Sequence, residues 1–429
     1  MTYAETVQYL YDSAPMFQRI GEGAYKAGLD NTHALDSYFG HPHRQYATVH
    51  IAGTNGKGSV AHTIAAVLQV MGYKTGLYTS PHLMDFRERM RINGKPIDED
   101  YVVNFVSRHR QFFEPLHPSF FELTTAMAFK YFADGNVDIA VIETGLGGRL
   151  DCTNIITPMV SIITNISLEH THLLGSTLTA IAGEKAGIIK PDVPVVIGEA
   201  IDETRKVFDE KARCSHSSII YAEDVEPMIV TSDGETIRLD DITCELSGSY
   251  QQKNARTVAC SLNEIIRQGI KIDASAIREG FAHVCEMTGL MGRWQTVSTA
   301  PTVICDTGHN PGAWQYLGQR LRKIADNATL RVVFGMAADK DIDTVMGFLP
   351  SRAAYYWTKA SVKRALDEAV VMAKGAAHGL KGTAFPDVVT AYKSAVLASS
   401  PEDIIFVGGS SFVVADLLSY IYARKNSHS

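Results

Sequence analysis

The stretch VHIAGTNGKGSVAH, Val49 to His62, constrains the fold of this chain more than any other. A short β-rich run, a glycine-rich turn holding one lysine, and then a helical pattern is the order that a phosphate-binding loop requires. In such a loop, converging backbone N–H groups, the positive end of a helix and a lysine ammonium meet phosphate oxygens together. The stretch departs twice from G-x-x-x-x-G-K-[ST]. Ile51 stands where the first glycine would, and Gly58 follows Lys57, so that Ser59 arrives one place late. An ordinary glycine-rich strand-to-helix turn would use the same glycines, but the strand before and the helix after stand where phosphate binding needs them.

Around this loop, β-rich runs alternate with helical patterns. Thr2 and Glu5 stand at capping-box spacing at the start of a first helix. YATVHIA leads to a helix from about Lys57 to Met71, KTGLYT to helices from Asp98 and from Phe121 to Phe132, and a further helix lies around Lys185. VDIAVIE and MVSIIT are nearly continuous apolar runs of the kind a parallel sheet buries on both faces. The alternation predicts an α/β fold with right-handed βαβ units in a doubly wound, mostly parallel sheet. From about Ile219 to Leu246 the helical pattern stops, and VTSDGETIRL carries an Asp-Gly hairpin signal before a helix from about Gln252 to Gln268. A second alternating series (TVICD, LRVVFG, AAYYW, DIIFVGG), with helices over Pro311 to Ile324 and Phe412 to Arg424, reads as a smaller, Rossmann-like α/β domain. The aperiodic MTGLMGRWQ separates a domain over 1–290 from one over 296–429.

The chain has 429 residues, of which 45% are hydrophobic and 20% charged, with a net charge of −7. This profile predicts a globular protein with no nucleic-acid or membrane partner. The six cysteines are scattered without a C-x-x-C pair, which argues against structural zinc or a disulfide framework. With no signal-peptide pattern at the start, a cytoplasmic location is expected.

Several segments carry candidate chemistry. Ser80 in TSPHL could offer a hydroxyl to Mg²⁺, or serve as a turn residue. Glu143 ends an apolar strand where a metal carboxylate would point, though it could instead pair with Arg149 beneath a glycine loop. His170 follows another strand and reads as a metal ligand or as an ordinary polar residue. Lys185 lies among Ala182, Gly183, Ala186 and Gly187, neighbours that leave room for a buried amine of lowered pKa. Such an amine can react with CO₂ to give a carbamate. In GRWQ and DTGHNP, Arg293, Asp306 and His309 could grip a nucleotide, while capping and turn formation would also account for Asp306 and Asn310.

Together these segments resemble the folylpolyglutamate synthase/dihydrofolate synthase family of the Mur ligase superfamily. The resemblance runs from about Gly28 to Ser411 and rests on GTNGKGS, TSPHL with RERMRING, SFFELTT, ETGLGGRLDCTN, SLEH, EKAGIIK, GRWQ and DTGHNP, in the family's order. It implies that Thr54, Asn55, Gly56, Lys57, Gly58 and Ser59 hold ATP phosphates, and that Asn254, Arg293, Asp306 and His309 contact the nucleotide. It further implies that Ser80, Glu143 and His170 ligate Mg²⁺, that Lys185 is carboxylated and holds a second magnesium, and that Lys57, His170 and Lys185 serve catalysis. Gly28, Leu29, Ser119, Phe120, Phe121, Glu122, Leu150, Asp151 and Cys152 match the segments lining the family's pterin pocket. The implied reaction joins L-glutamate to dihydropteroate, to folates, or to both through an acyl phosphate, in a monomer that needs ATP and Mg²⁺ but no zinc, haem or flavin. Glu169, Met291, Thr307 with Gly308, and Cys152 depart from the family's usual aspartate, proline, DGAHNP sequence and alanine. Another Mur-type amide ligase, or a nucleotide-binding regulatory protein without turnover, would share the loop. The second of these gives Glu143, His170 and Lys185 no common purpose.

Overall fold

Two neighbouring strands show why the apolar runs form a parallel sheet. β1 (Ala47–Ala52) and β5 (Ile139–Glu143) pair in parallel, with Ile51 beside Glu143. Val49, Ile51, Ile139 and Val141 pack with Val60, Ile64 and Val67 of the helix Lys57–Val70. The alternate residues Ala140 and Ile142 pack on the opposite face with Phe129 and Phe132 of the helix Phe120–Asp134. Burial on both faces is what an unbroken apolar run encodes.

The computed structural model describes residues 1–13 and 28–426. Its larger sheet adds β2 (Thr75–Tyr78), β3 (Met90–Ile92), β4 (Lys95–Pro96), β6 (Val160–Ile163), β7 (Val195–Ile197) and β8 (Ile219–Tyr221). The strand order is β4-β3-β2-β5-β1-β6-β7-β8. All pairings from β2 to β8 are parallel, whereas β3 and β4 form an antiparallel edge. That edge was not read from the sequence, although Asn93-Gly94 between the two strands is a two-residue hairpin signal with both residues at positive φ. β9 (Met228–Val230) and β10 (Thr236–Arg238) form the small hairpin around Asp233-Gly234. The helix after it runs from Ser249 to Arg267, three residues earlier at its start than the pattern suggested. At the beginning of the chain, the helix Tyr3–Ser13 is capped as its spacing implied, with Thr2 N donating to Glu5 Oε2 at 2.8 Å.

The chain divides into two compact units, Met1–Leu290 and Met291–Ser429. The second has a sheet of its own, built from β11 (Gln295–Thr299), β12 (Thr302–Asp306), β13 (Leu330–Phe334), β14 (Ala353–Trp357), β15 (Gly382–Ala384) and β16 (Ile404–Gly408). The order is β11-β12-β16-β13-β14-β15, parallel except for the antiparallel edge strand β11. Trp314, Phe334, Trp357 and Phe406 fill its core, and the rings of Tyr355 and Trp357 stack at 4.5 Å. Among the described residues no helix is long and apolar enough to cross a membrane.

Candidate functional site

The C-terminal ends of β2, β5, β1 and β6 lie side by side, and open parallel sheets bind ligands along that edge. β1 delivers the chain to Gly53 and Gly56, both at positive φ. A Cβ on Gly53 would collide with Thr164 Oγ1, and one on Gly56 with Asn254 Oδ1, so both positions require glycine. The residues just after β6 clamp the loop from beside it. Thr54 N donates to Asn165 O at 2.9 Å, Asn55 N to Asn165 Oδ1 at 2.9 Å, and Thr164 Oγ1 to Asn55 O at 2.6 Å. Ser167 N donates to Thr54 Oγ1 at 3.1 Å. Sequence reasoning missed Thr164 and Asn165, whose one signal was a polar pair directly after an apolar strand.

Two lysines converge on this turn. Lys57 Nζ donates to Gly53 O at 3.1 Å and Thr54 O at 3.2 Å, and Lys185 Nζ donates to the same Gly53 carbonyl at 2.8 Å. Lys185, on the helix Leu178–Ala186, is only 5% exposed. Desolvation, followed by the charge of Lys57, pushes its pKa down to about 7, because burial penalises the ammonium form. Glu143 is 3% exposed at the end of β5. Its Oε2 accepts from Ser80 N at 3.1 Å, and its Oε1 lies 4.0 Å from Lys57 Nζ. Arg149 donates to Glu184 Oε1 from Nε at 3.1 Å and Nη2 at 2.8 Å, because its loop docks on the helix that carries Lys185. Arg149 N donates to Glu184 O at 2.7 Å, and Gly187 leaves no room between that helix and Arg149. His170, at φ 50, precedes the short helix Thr171–Leu174, where its carbonyl accepts from Leu173 N and Leu174 N. Among the described residues no three His, Cys, Asp or Glu side chains are grouped to hold a metal ion.

A second group surrounds the segment Leu150 to Cys152. Ser119 and Glu122 cap the helix Phe120–Asp134 reciprocally, Ser119 N donating to Glu122 Oε2 at 2.6 Å and Glu122 N to Ser119 Oγ at 3.2 Å. Phe120 lies under the guanidinium of Arg89 at 5.1 Å, and Phe121 packs on Tyr78 and against Gly145. Asp151 is buried, accepting from Leu146 N at 2.8 Å, from Thr153 N at 3.0 Å and from Thr153 Oγ1 at 2.5 Å. Burial raises its pKa, and it also raises that of the Cys152 thiol, with Asp151 and Glu122 adding to the latter effect. Gly28 and Leu29 lead into the helix Asp30–Tyr38, which packs beside the turn Cys152–Ile155.

Comparison with known proteins identifies relatives along most of the chain. Residues 51–262 match the Mur ligase middle domain, and residues 292–411 match the Mur ligase glutamate ligase domain. The dihydrofolate synthase/folylpolyglutamate synthase of Mycobacterium tuberculosis is 36% identical over 87% of this chain and 82% of its own length. A probable bifunctional folylpolyglutamate synthase/dihydropteroate synthase of Haloferax volcanii is 35% identical over 97% of this chain, which spans 50% of that relative's length. Escherichia coli FolC in complex with DHPP and ADP superposes with a TM-score of 0.85 at 29% identity, covering 99% of each chain. The Yersinia pestis bifunctional folylpolyglutamate synthase/dihydrofolate synthase, complexed with AMPPNP and Mn ion, superposes with a TM-score of 0.83 at 27% identity, covering 98% of each. The chain belongs to the folylpolyglutamate synthase/dihydrofolate synthase family of Mur ligases.

In this Mur ligase the second unit has its own cluster around the turn after β12. Asp306 accepts from Trp294 N and from Gly308 N, both at 2.8 Å. Arg293 Nη1 donates to Thr307 Oγ1, and His309 Nδ1 approaches Thr307 O at 3.1 Å. Asn310 caps the helix Pro311–Asn327 through Ala313 N at 2.9 Å. Turn formation and capping therefore engage Asp306 and Asn310 directly. The ligase family's motifs GRWQ and DTGHNP fold into one tight cluster within this unit.

Proposed function

We propose that this ligase joins the amine of L-glutamate to the carboxylate of dihydropteroate and of reduced folates, with cleavage of ATP to ADP and phosphate. The observation that supports it most is the convergence of Lys57, Lys185 and buried Glu143 on one glycine turn at the carboxyl edge of a parallel sheet. The backbone N–H groups of Thr54 to Ser59 and the helix beginning at Lys57 would receive the phosphates. Rotation of the Lys57 side chain carries its ammonium from Gly53 O and Thr54 O to the β/γ-phosphates. Asn254, Arg293, Asp306 and His309 are our assignment for the remaining nucleotide contacts.

The residues fit a hard divalent cation. Glu143 is a buried carboxylate with a cation beside it, and we assign the hydroxyl of Ser80 and the imidazole of His170 as the other protein ligands. Such a set leaves coordination positions for phosphate oxygens, as Mg²⁺ prefers. When bound, Mg²⁺ would neutralise charge developing on the transferred phosphoryl group. For Lys185 we propose carboxylation: the ammonium first gives up a proton, the neutral amine attacks CO₂, an N–C bond forms as one C–O π bond opens to a carboxylate, a second proton leaves the nitrogen, and a buried cation has become an anion suited to a second magnesium. The folate-side carboxylate takes the γ-phosphoryl group to give an acyl phosphate, and the glutamate amine then displaces phosphate from the acyl carbon. The chain contributes mainly positioning and fixed charge. Gly28, Leu29, Ser119 to Glu122 and Leu150 to Cys152 are proposed to line the pterin site.

The test is ADP release measured with dihydropteroate or tetrahydrofolate, with and without L-glutamate. Glutamate-dependent release with both substrates supports a bifunctional enzyme, and with one alone a single synthase. Release with neither sinks the assignment.

A further inference from the structure

The loop Thr54–Ser59 is held by a residue outside it that no motif includes. Gln251 sits in the first turn of the helix Ser249–Arg267 and is 3% exposed. Its amide is used at both ends. Nε2 donates to Ser59 Oγ at 3.1 Å, and Oε1 accepts from Asn254 Nδ2 at 2.8 Å. With Asn254 Nδ2 committed to Gln251, Asn254 Oδ1 is turned onto Gly56, where no Cβ fits between them. Ser59 is itself buried in the first turn of the helix Lys57–Val70. One amide thus fixes both ends of the segment Gly56–Ser59, and Lys57 lies inside that span.

We propose that Gln251 is a positioning residue for the reaction, setting the phosphate loop and the direction of the Asn254 amide before nucleotide arrives. This rests on the reading that Thr54 to Ser59 receive ATP phosphates. The physical reason is polarity. The buried side chain donates to Ser59 and accepts from Asn254 at the same time, and a primary amide does so without adding charge beside a triphosphate. A carboxylate keeps only the acceptor, and an apolar chain of the same length keeps neither. Removing the amide leaves two buried polar groups to find other partners, which they do by letting the loop move. A preorganised loop binds more tightly because its ordering cost falls before binding rather than during it.

The experiment compares Gln251→Met and Gln251→Glu with the unaltered full-length protein. It measures the Kd of a non-hydrolysable ATP analogue, the KM for ATP and for glutamate, and the melting temperature. In both variants the analogue Kd and the ATP KM are expected to rise roughly tenfold, while the glutamate KM stays within about twofold. A purely structural role would lower the melting temperature without separating the two KM values. If Gln251→Met does not fold, Gln251→Glu preserves the shape and carries the test. Unchanged analogue affinity in either folded variant, or an equal rise in both KM values, overturns the proposal. Failure of the unaltered protein to bind the analogue overturns the phosphate-site reading and this inference with it, an outcome distinct from a variant that matches a binding parent.

Discussion

His50 stands in the middle of β1 with its Nε2 2.8 Å from Thr153 Oγ1, and Thr153 Oγ1 in turn donates to Asp151. A hydroxyl that gives its proton to a carboxylate can only accept from the imidazole, so the proton of neutral His50 is on Nε2. Its Nδ1 has no partner among the described residues. Protonation would bury an N–H without an acceptor, and burial, followed by the charge of Lys190, pushes the pKa down to about 3. In the unfolded chain the same imidazole takes a proton near 6.5. Between those values the unfolded state binds more protons, so stability is complete above about pH 6.5 and falls as pH drops towards 3, by about 1.4 kcal/mol per unit. Urea midpoints measured from pH 7 to 4.5 should decline in this way, and His50→Gln should flatten the decline; an identical slope would remove His50 from the account. Lys185→Ala tests the neighbouring site. Turnover should fall on the order of a hundredfold or more, the analogue Kd should change little, and a small carboxylate such as acetate should restore part of the rate. Full activity would show that Lys185 is dispensable. The burial of Lys185 was legible because small neighbours in a helical pattern are a local signal. Gln251, Asn165 and His50 were not, since a single polar side chain carries no period and its partners are far away in sequence.

At the scale of elements, the strands buried on both faces and the helices between them could be read directly, because continuous apolar runs and a 3.6-residue period are strong signals. The edges were harder. β4 spans only Lys95–Pro96 and β11 is half exposed, so neither carries enough alternation to stand out. The strand-turn-helix unit was readable as a type, but the reason for its glycines was not. Gly56 has φ 87, and Asn254 stands where a Cβ would go. Gly56→Ala should therefore lose at least tenfold in analogue affinity while costing on the order of 1–3 kcal/mol of stability. Wild-type affinity in that variant would mean that the loop tolerates a different path. The capping box at Ser119 and Glu122 gives a contrasting case. Ser119→Ala should lower stability by about 1 kcal/mol, read as a shift in denaturation midpoint. If it also weakens dihydropteroate binding, Ser119 acts on the pterin as well as on the helix.

For the whole molecule, the sequence marked two α/β series and an aperiodic break between them, and the chain divides into compact units at Leu290 and Met291, each with its own sheet and core. Unfolding enthalpy scales with the number of residues that melt together, near 0.7 kcal/mol per residue around 60 °C. Units over Met1–Leu290 and Met291–Ser429 should then give two calorimetric transitions with enthalpies in a ratio of about two to one. The glycine turn after β1, with Lys57, Glu143 and Lys185, belongs to the larger unit. A non-hydrolysable ATP analogue at a hundred times its Kd stabilises whatever binds it by about 2.7 kcal/mol. The larger transition should therefore move up, and Lys57→Ala should abolish most of that movement. If only the smaller transition moves, the nucleotide is held chiefly by Arg293, Asp306 and His309, and the first unit is not the phosphate site. If both move together as one two-state transition whose van't Hoff and calorimetric enthalpies agree, nucleotide binding and the two cores form a single cooperative system, and loop variants such as Gly56→Ala should then lower the stability of the second unit as much as that of the first.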